Sequence, residues 1–216
     1  MARRTGRSAG DFRRRRPVRE PYDVVLIVCE GQKTEPAYFK GIGATYGLSS
    51  ANVKVVPSSH GNDPVSVVKY AEEEYRKAKD YDRAYCVFDR DGHANFDQAI
   101  DRIRRSSLGQ QGKMIATFSI PCFEVWVLLH FEYMAAPFRA AGGHSACDRV
   151  ISEVRRHIAG YSKNFSGIYV QLEPRLGDAI THGERLETEN GRTGSDNPST
   201  QLHALVKYLR DLRATA

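Results

Sequence analysis

Acidic side chains stand just beyond apolar runs in this 216-residue sequence, and their spacing is the first clue to chemistry. Asp89 and Asp91 follow the run AYCVF with one residue between them, so in an extended chain their carboxylates project to one face while Arg90 points away. Two carboxylates that close repel each other unless a cation lies between them. Hard oxygen donors with positions left for water suit Mg2+ or Mn2+, which bind through a few carboxylates plus phosphate oxygens. Glu30 follows the run DVVLIVC and would arrive on a neighbouring strand to complete the set. A D-x-D alone also occurs in solvated turns; Glu-Gly after one strand and D-x-D-Gly after another is a rarer coincidence.

Other side chains qualify by position. Glu124 opens a strongly apolar stretch, where it reads either as a carboxylate favoured by a helix N-terminus or as a further metal or water ligand at the same edge. Lys33, three residues after Glu30, and Lys163 and Asn164, in a polar stretch, are candidates for phosphate contact; the alternative for Lys33 is a solvated first-loop lysine, and the default for Lys163 and Asn164 is a charged loop. His60 precedes Gly61 and could face the acidic cluster or sit as an ordinary loop histidine. His130, Trp126, Phe123 and Phe131 read as core or interface residues. Gly41, Gly43 and Gly47 follow a helix rather than a strand, so they read as helix termination and not as a dinucleotide loop.

The elements that must hold these residues alternate short β-rich runs with helical periods, the pattern of a mostly parallel sheet wrapped by helices. Residues 23–29, 52–57, 84–88 and 113–118 read as four strands. The first is apolar throughout, as a strand buried on both faces should be. Thr34 can cap the helix that follows, with Pro36 in its first turn, and Asp63-Pro64 opens a long helix to about Lys79. A helix follows across 96–105. Beyond Pro121 the pattern predicts an apolar helix over 123–134, helices over 147–159 and 168–181, a polar loop over 184–196, and a last helix over 198–213 capped by Asn197. In such sheets the chemistry collects beyond the carboxyl ends of the strands, where Glu30, Ser58 to Gly61, Asp89, Asp91 and Glu124 all fall.

Charge is unevenly spread. The net charge of the chain is +6. Residues 1–20 hold eight arginines, Arg13, Arg14, Arg15 and Arg16 among them, against Asp11 and Glu20, so the segment accounts for all of that balance and the rest sums to zero. Such an arm is expected to be disordered and drawn to polyanions, as nucleic-acid arms are; a solvated or targeting tail is the alternative. The expected organisation is a tail over 1–20, an α/β core over 21–120 and a helical part over 121–216. The longest apolar run, Phe123 to Phe131, is broken by Glu124 and His130 and falls short of the roughly 20 residues that span a bilayer. No secretory pattern follows the basic segment, so a cytoplasmic protein with no membrane partner is expected. Cys29, Cys86, Cys122 and Cys147 are widely spaced and lack a C-x2-C pair, so buried free thiols are expected rather than a zinc site or a disulfide scaffold.

The arrangement of Glu30, Asp89 and Asp91 resembles a toprim domain over residues 22–120, the fold shared by topoisomerases, primases and OLD-type nucleases. A closer resemblance is to the RloB-like proteins, a toprim-related bacterial family of restriction and phage-defence loci. It is carried by VVLIVCEGQKTEPAYF at 24–39, CVFDRDGH at 86–93, IPCFEVWVLLHF at 120–131 and NPST at 197–200. The resemblance implies a toprim-like, mostly parallel four-stranded sheet with a helical C-terminal extension. It also implies Glu30 as general acid/base or metal ligand, and Asp89 and Asp91 as ligands of Mg2+ or Mn2+. Cleavage of DNA or RNA phosphodiesters in anti-phage defence, of the abortive-infection type, is the expected activity. The alternative is a non-catalytic nucleic-acid or nucleotide sensor that signals to a partner defence protein. The apolar helix leaves room for a homo-oligomer. No topoisomerase tyrosine motif, ATPase domain or G-x-x-x-x-G-K-[ST] phosphate loop is present, which argues against strand passage, ATP-driven chemistry and nucleotidyl transfer.

Overall fold

The computed structural model describes residues 22–48, 53–57, 61, 63–78, 80–165 and 167–212. Its centre is a sheet of four parallel strands, β1 (Val25–Cys29), β2 (Val53–Pro57), β3 (Arg83–Asp89) and β4 (Met114–Ile120). A two-residue strand, β5 (Ser199–Thr200), pairs antiparallel with β4 and completes the order β2-β1-β3-β4-β5. The chain leaves β1 toward β2 on one side and returns past it to β3 on the other. The strand order therefore reverses between β1 and β3, and the crevice beyond their carboxyl ends is where such sheets take ligands.

Both faces of the sheet are covered, which is why β1 is apolar without alternation. Leu26, Val28, Ala84, Cys86 and Phe88 pack under α2 (Pro64–Ala78), α3 (Phe96–Arg105) and the short α4 (Ser107–Gln110). Val25, Ile27, Cys29, Tyr85 and Val87 pack under α1 (Thr34–Thr45), α5 (Glu124–Leu129), α6 (Ala146–His157), α7 (Ile168–Leu172), α8 (Leu176–Thr193) and α9 (Leu202–Asp211). Trp126, Phe123 and His130 lie in this second layer, fully enclosed. His130 spends its ring nitrogens on the Trp126 carbonyl, 2.9 Å away, and the Tyr38 hydroxyl, and burial pushes its pKa down to about 4, as befits a core histidine. Among the described residues no helix is long and apolar enough to cross a membrane.

Asp63 caps α2 as expected, accepting from the Val65 and Ser66 amides at 3.1 and 3.2 Å. The C-terminal half departs from the sequence reading. The apolar helix stops at Leu129, well before residue 134. The expected polar loop over 184–196 is instead mostly helix, because α8 buries Leu176, Ala179, Ile180, Gly183 and Leu186 against its neighbours and so overrides the poor propensity of its Gly, Thr and Asn residues. Asn197 does not cap a helix. Its amide bridges the backbone of Phe138, donating at 2.7 Å and accepting at 3.2 Å, and Pro198 leads into β5 before α9 begins at Leu202. Thr34 does not cap α1 either, since its hydroxyl donates to the Lys163 carbonyl, and α1 runs through Gly41 and Gly43.

The cysteines divide. Cys29 and Cys86 are buried free thiols, as expected. Cys122 and Cys147 are joined in a disulfide with their Cα atoms 5.8 Å apart, contrary to the sequence reading, because α6 packs across α5 and brings residues 25 apart in sequence together.

Candidate cation site at the sheet edge

β1 and β3 are in register from Val25 with Arg83 to Cys29 with Val87, so the chains emerging from them run side by side. The Glu30 amide donates to the Val87 carbonyl at 2.8 Å, and the Glu30 carboxylate in return accepts from the Asp89 amide at 3.0 Å. Its other oxygen lies 2.8 Å from His93 Nε2. Beyond Asp89 the strand ends and the chain turns: the Arg90 and Asp91 amides donate to the Ser119 and Pro121 carbonyls at 3.1 and 2.9 Å. Asp91 therefore reaches the crevice from a turn rather than from an extended strand, and Arg90 is drawn away to Asp196.

A fourth and a fifth carboxylate close the cluster. Glu124, the first residue of α5, is 2 % exposed; its Oε1 accepts from the Tyr161 hydroxyl at 3.2 Å and its Oε2 lies 3.6 Å from Cys147 Sγ. Glu35, in the first turn of α1, lies directly over Gly31, where a β-carbon would come within 1.9 Å of its Oε2. A side chain at position 31 would thus displace the Glu35 carboxylate from its present position. Glu30, Glu35, Asp89, Asp91 and Glu124 all line one open cavity of about 310 Å³.

The cationic wall comes from far along the chain. Lys163, between α6 and α7, reaches over the carboxylates with its Nζ 3.9 Å from Asp91 Oδ2, and the hydrogen bond from Thr34 to its carbonyl ties its loop to the start of α1. Asn164, Lys33, Gln32 and His93 line the same cavity. His60 and Arg13, Arg14, Arg15 and Arg16 lie outside the described residues.

The electrostatics follow from crowding. Burial, and then the neighbouring acids, raise the carboxyl pKa values of Glu30, Asp89 and Glu124, while Glu35 is pushed up to about 7 by burial and by Glu124 and Glu30. Burial works to lower the Lys163 ammonium, but Glu124, Asp89, Asp91 and Glu35 outweigh it and hold the pKa above its ordinary value. Five carboxylates share the cavity with Lys33, Lys163 and His93, so acids outnumber bases, and the donor chemistry of the cluster fits a hard divalent cation.

Glu35 and His93 were passed over as site residues at the sequence level. Their signal was there, in the second acid of EGQKTE and the histidine of DRDGH. Tyr161 carried no such signal, because only the packing of the C-terminal helices brings it to Glu124.

The RloB-like protein family model matches residues 25–209, which takes in β1, the whole crevice and most of α9. The chain belongs to the RloB-like family. The match spans both the acidic loops after β1 and β3 and the Lys163 loop of this RloB-like chain, so the two halves of the crevice fall within one family-wide unit. No curated protein matches the chain, and no solved structure does.

Proposed function

We propose that this RloB-like protein is a divalent-cation-dependent nuclease of toprim type, cleaving DNA or RNA phosphodiesters in anti-phage defence. The observation that carries the reading is the convergence of five carboxylates and Lys163 on one open crevice at the point where the strand order reverses. Glu30, Asp89, Asp91, Glu35 and Glu124 would hold Mg2+ or Mn2+. When bound, the cation supplies Lewis acidity toward a phosphoryl oxygen and lowers the pKa of a bound water.

The rest is the work of the chain itself. Lys163 stands opposite the acids as a point charge for a phosphate oxygen, and its loop is held in place by Thr34. Asn164 and Lys33 extend that polar wall along the path of a backbone. Glu30, hydrogen-bonded by the Asp89 amide and 2.8 Å from His93, would take a proton from an attacking water where it does not itself bind the cation, and the imidazole would accept it in turn. The family resemblance adds the defence role; the crevice adds the chemistry.

The test is incubation of the purified protein with plasmid, single-stranded DNA, ribosomal RNA and tRNA, with Mg2+, Mn2+ or EDTA. Cleavage is expected with metal only, and Asp89→Asn or Glu30→Gln is expected to lower its rate by about 100-fold or more while leaving the fold intact. Binding that persists with no cleavage in any metal would overturn the nuclease reading in favour of a sensor that signals to a partner protein.

A further inference from the structure

Behind Glu124, outside the lining of the crevice, lie two sulfurs that a hard-cation site does not use. Cys122, Cys147 and Glu124 bring a ligand atom each to within 4.8 Å of one another, and all three are buried. Cys122 lies two residues before α5 and Cys147 in the first turn of α6, so two elements meet at this point. In the oxidised chain the two sulfurs are bonded to each other and neither can bind a metal.

We propose that reduction of the Cys122–Cys147 disulfide opens a second, sulfur-containing metal site, in which both thiolates and the Glu124 carboxylate bind a borderline-soft cation such as Zn2+. The geometry is already close. With Zn–S and Zn–O bonds of about 2.3 and 2.0 Å, a tetrahedral ion separates a sulfur and an oxygen ligand by about 3.5 Å. Cys147 Sγ stands 3.6 Å from Glu124 Oε2. The two sulfurs need to part, to about 3.8 Å, which breaking their bond requires of them in any case, and Cys122 Sγ must come to about 3.5 Å from the carboxylate oxygen, to which it already lies within 4.8 Å. Three protein ligands leave the fourth tetrahedral position to a small exogenous ligand.

The redox step balances with a dithiol reductant. Two electrons and two protons pass to the sulfurs, giving two thiols, and the reductant closes to its own disulfide. Zn2+ then displaces the two thiol protons to solvent. Two thiolates and one carboxylate around a dication leave one negative charge, and Lys163, which already faces Glu124, balances it. Thiolate ligands select zinc over magnesium, so the two sites differ in kind. They also compete, since Glu124 serves both; this consequence rests on the proposed hard-cation function, whereas the sulfur site itself does not.

The probe is Co2+, which reports thiolate ligation by a charge-transfer absorption in the near ultraviolet. Protein reduced with a water-soluble phosphine, which becomes its oxide by taking oxygen from water, is freed of reagent without air and titrated with Co2+. The expected result is a thiolate band that saturates at one equivalent and is abolished by one equivalent of Zn2+. The oxidised protein, with only Cys29 and Cys86 free, is expected to show no such band. Cys147→Ser and Cys122→Ser should each abolish it, with circular dichroism checking the fold, and Glu124→Gln should weaken binding at least tenfold. A reduced wild-type protein without the band would overturn the proposal, as would a band that survives in the oxidised protein or in Cys147→Ser. Undiminished affinity in Glu124→Gln would overturn the assignment of the third ligand. None of these readouts involves nucleic acid, so failure here and failure of the nuclease reading are separate results.

Discussion

The Glu35 carboxyl shows how a single residue couples this site to pH. Its pKa is pushed from 4.5 to about 7 by burial first and by Glu124 and Glu30 after it. The folded chain therefore keeps a proton that the unfolded chain has already released, and the stability this proton confers is complete below the unfolded pKa of 4.5 and lost as pH rises through about 7. Glu30, Asp89 and Glu124 are shifted in the same direction. Metal-free protein is accordingly expected to resist urea better at about pH 5.5 than at about pH 8, and Glu35→Gln to flatten that difference. Added Mg2+ should reverse the trend, because a bound cation favours the charged carboxylates, and its binding should release protons measurable in weakly buffered solution. A wild-type urea midpoint that rises from the lower to the higher pH without metal would contradict the electrostatics described. Gly31→Ala makes the same point sterically: its β-carbon takes the space of the Glu35 carboxylate, so Mg2+ affinity should fall as it does in Glu35→Gln.

At the scale of elements, the site depends on how closely α1 sits against the C-terminal helices. Gly41 is the point of contact: a β-carbon there would lie 2.6 Å from Cβ, Cγ and Cδ1 of Tyr169 in α7, atoms near the root of a buried side chain that cannot swing aside. Alanine gains about 1 kcal/mol over glycine in an exposed helix, yet overpacking costs about 1–3 kcal/mol. Gly41→Ala is thus expected to destabilise the protein by about 1 kcal/mol and to loosen the Lys163 loop, which precedes α7; a lower urea midpoint and a weaker Mg2+ affinity would show it. The sequence pattern suggested that Gly41 ends a helix, whereas its role is to let two helices meet. This contrast marks where sequence reading works. β1 and β3 were legible because strands covered on both faces are written as unbroken apolar runs, and the acids after them followed from the topology. α8 was not, since its low-propensity residues are held helical by burial of Leu176, Ile180 and Leu186. Nor was the Cys122–Cys147 pair, nor the reach of Lys163 to Asp91, because both depend on where the C-terminal helices fold back.

Taken as a whole, the molecule separates its charge from its chemistry. Residues 1–20, with eight arginines against Asp11 and Glu20, account for the entire net charge of +6, so residues 21–216 are formally neutral and their chief local cation in the crevice, Lys163, is already engaged by the site's acids. A neutral body offers a phosphate backbone no net attraction at long range, and the crevice of five carboxylates repels it locally, so attraction must come from elsewhere. Each phosphate neutralised by a basic side chain adds about −0.9 to the slope of log affinity against log salt on duplex, or about −0.7 on single strands. If the arginine segment supplies these contacts, deleting residues 2–19 removes all eight arginines and should make the slope shallower by several units. Cleavage at saturating nucleic acid should be unaffected, since the deletion leaves Glu30, Asp89 and Asp91 in place. Affinity should fall most at low salt, where counterion release contributes most, and the truncated and full-length proteins should converge as salt rises. A slope unchanged by the deletion would place the phosphate contacts on the folded body, and the Lys33, Lys163 and Asn164 wall would then be the surface to substitute next.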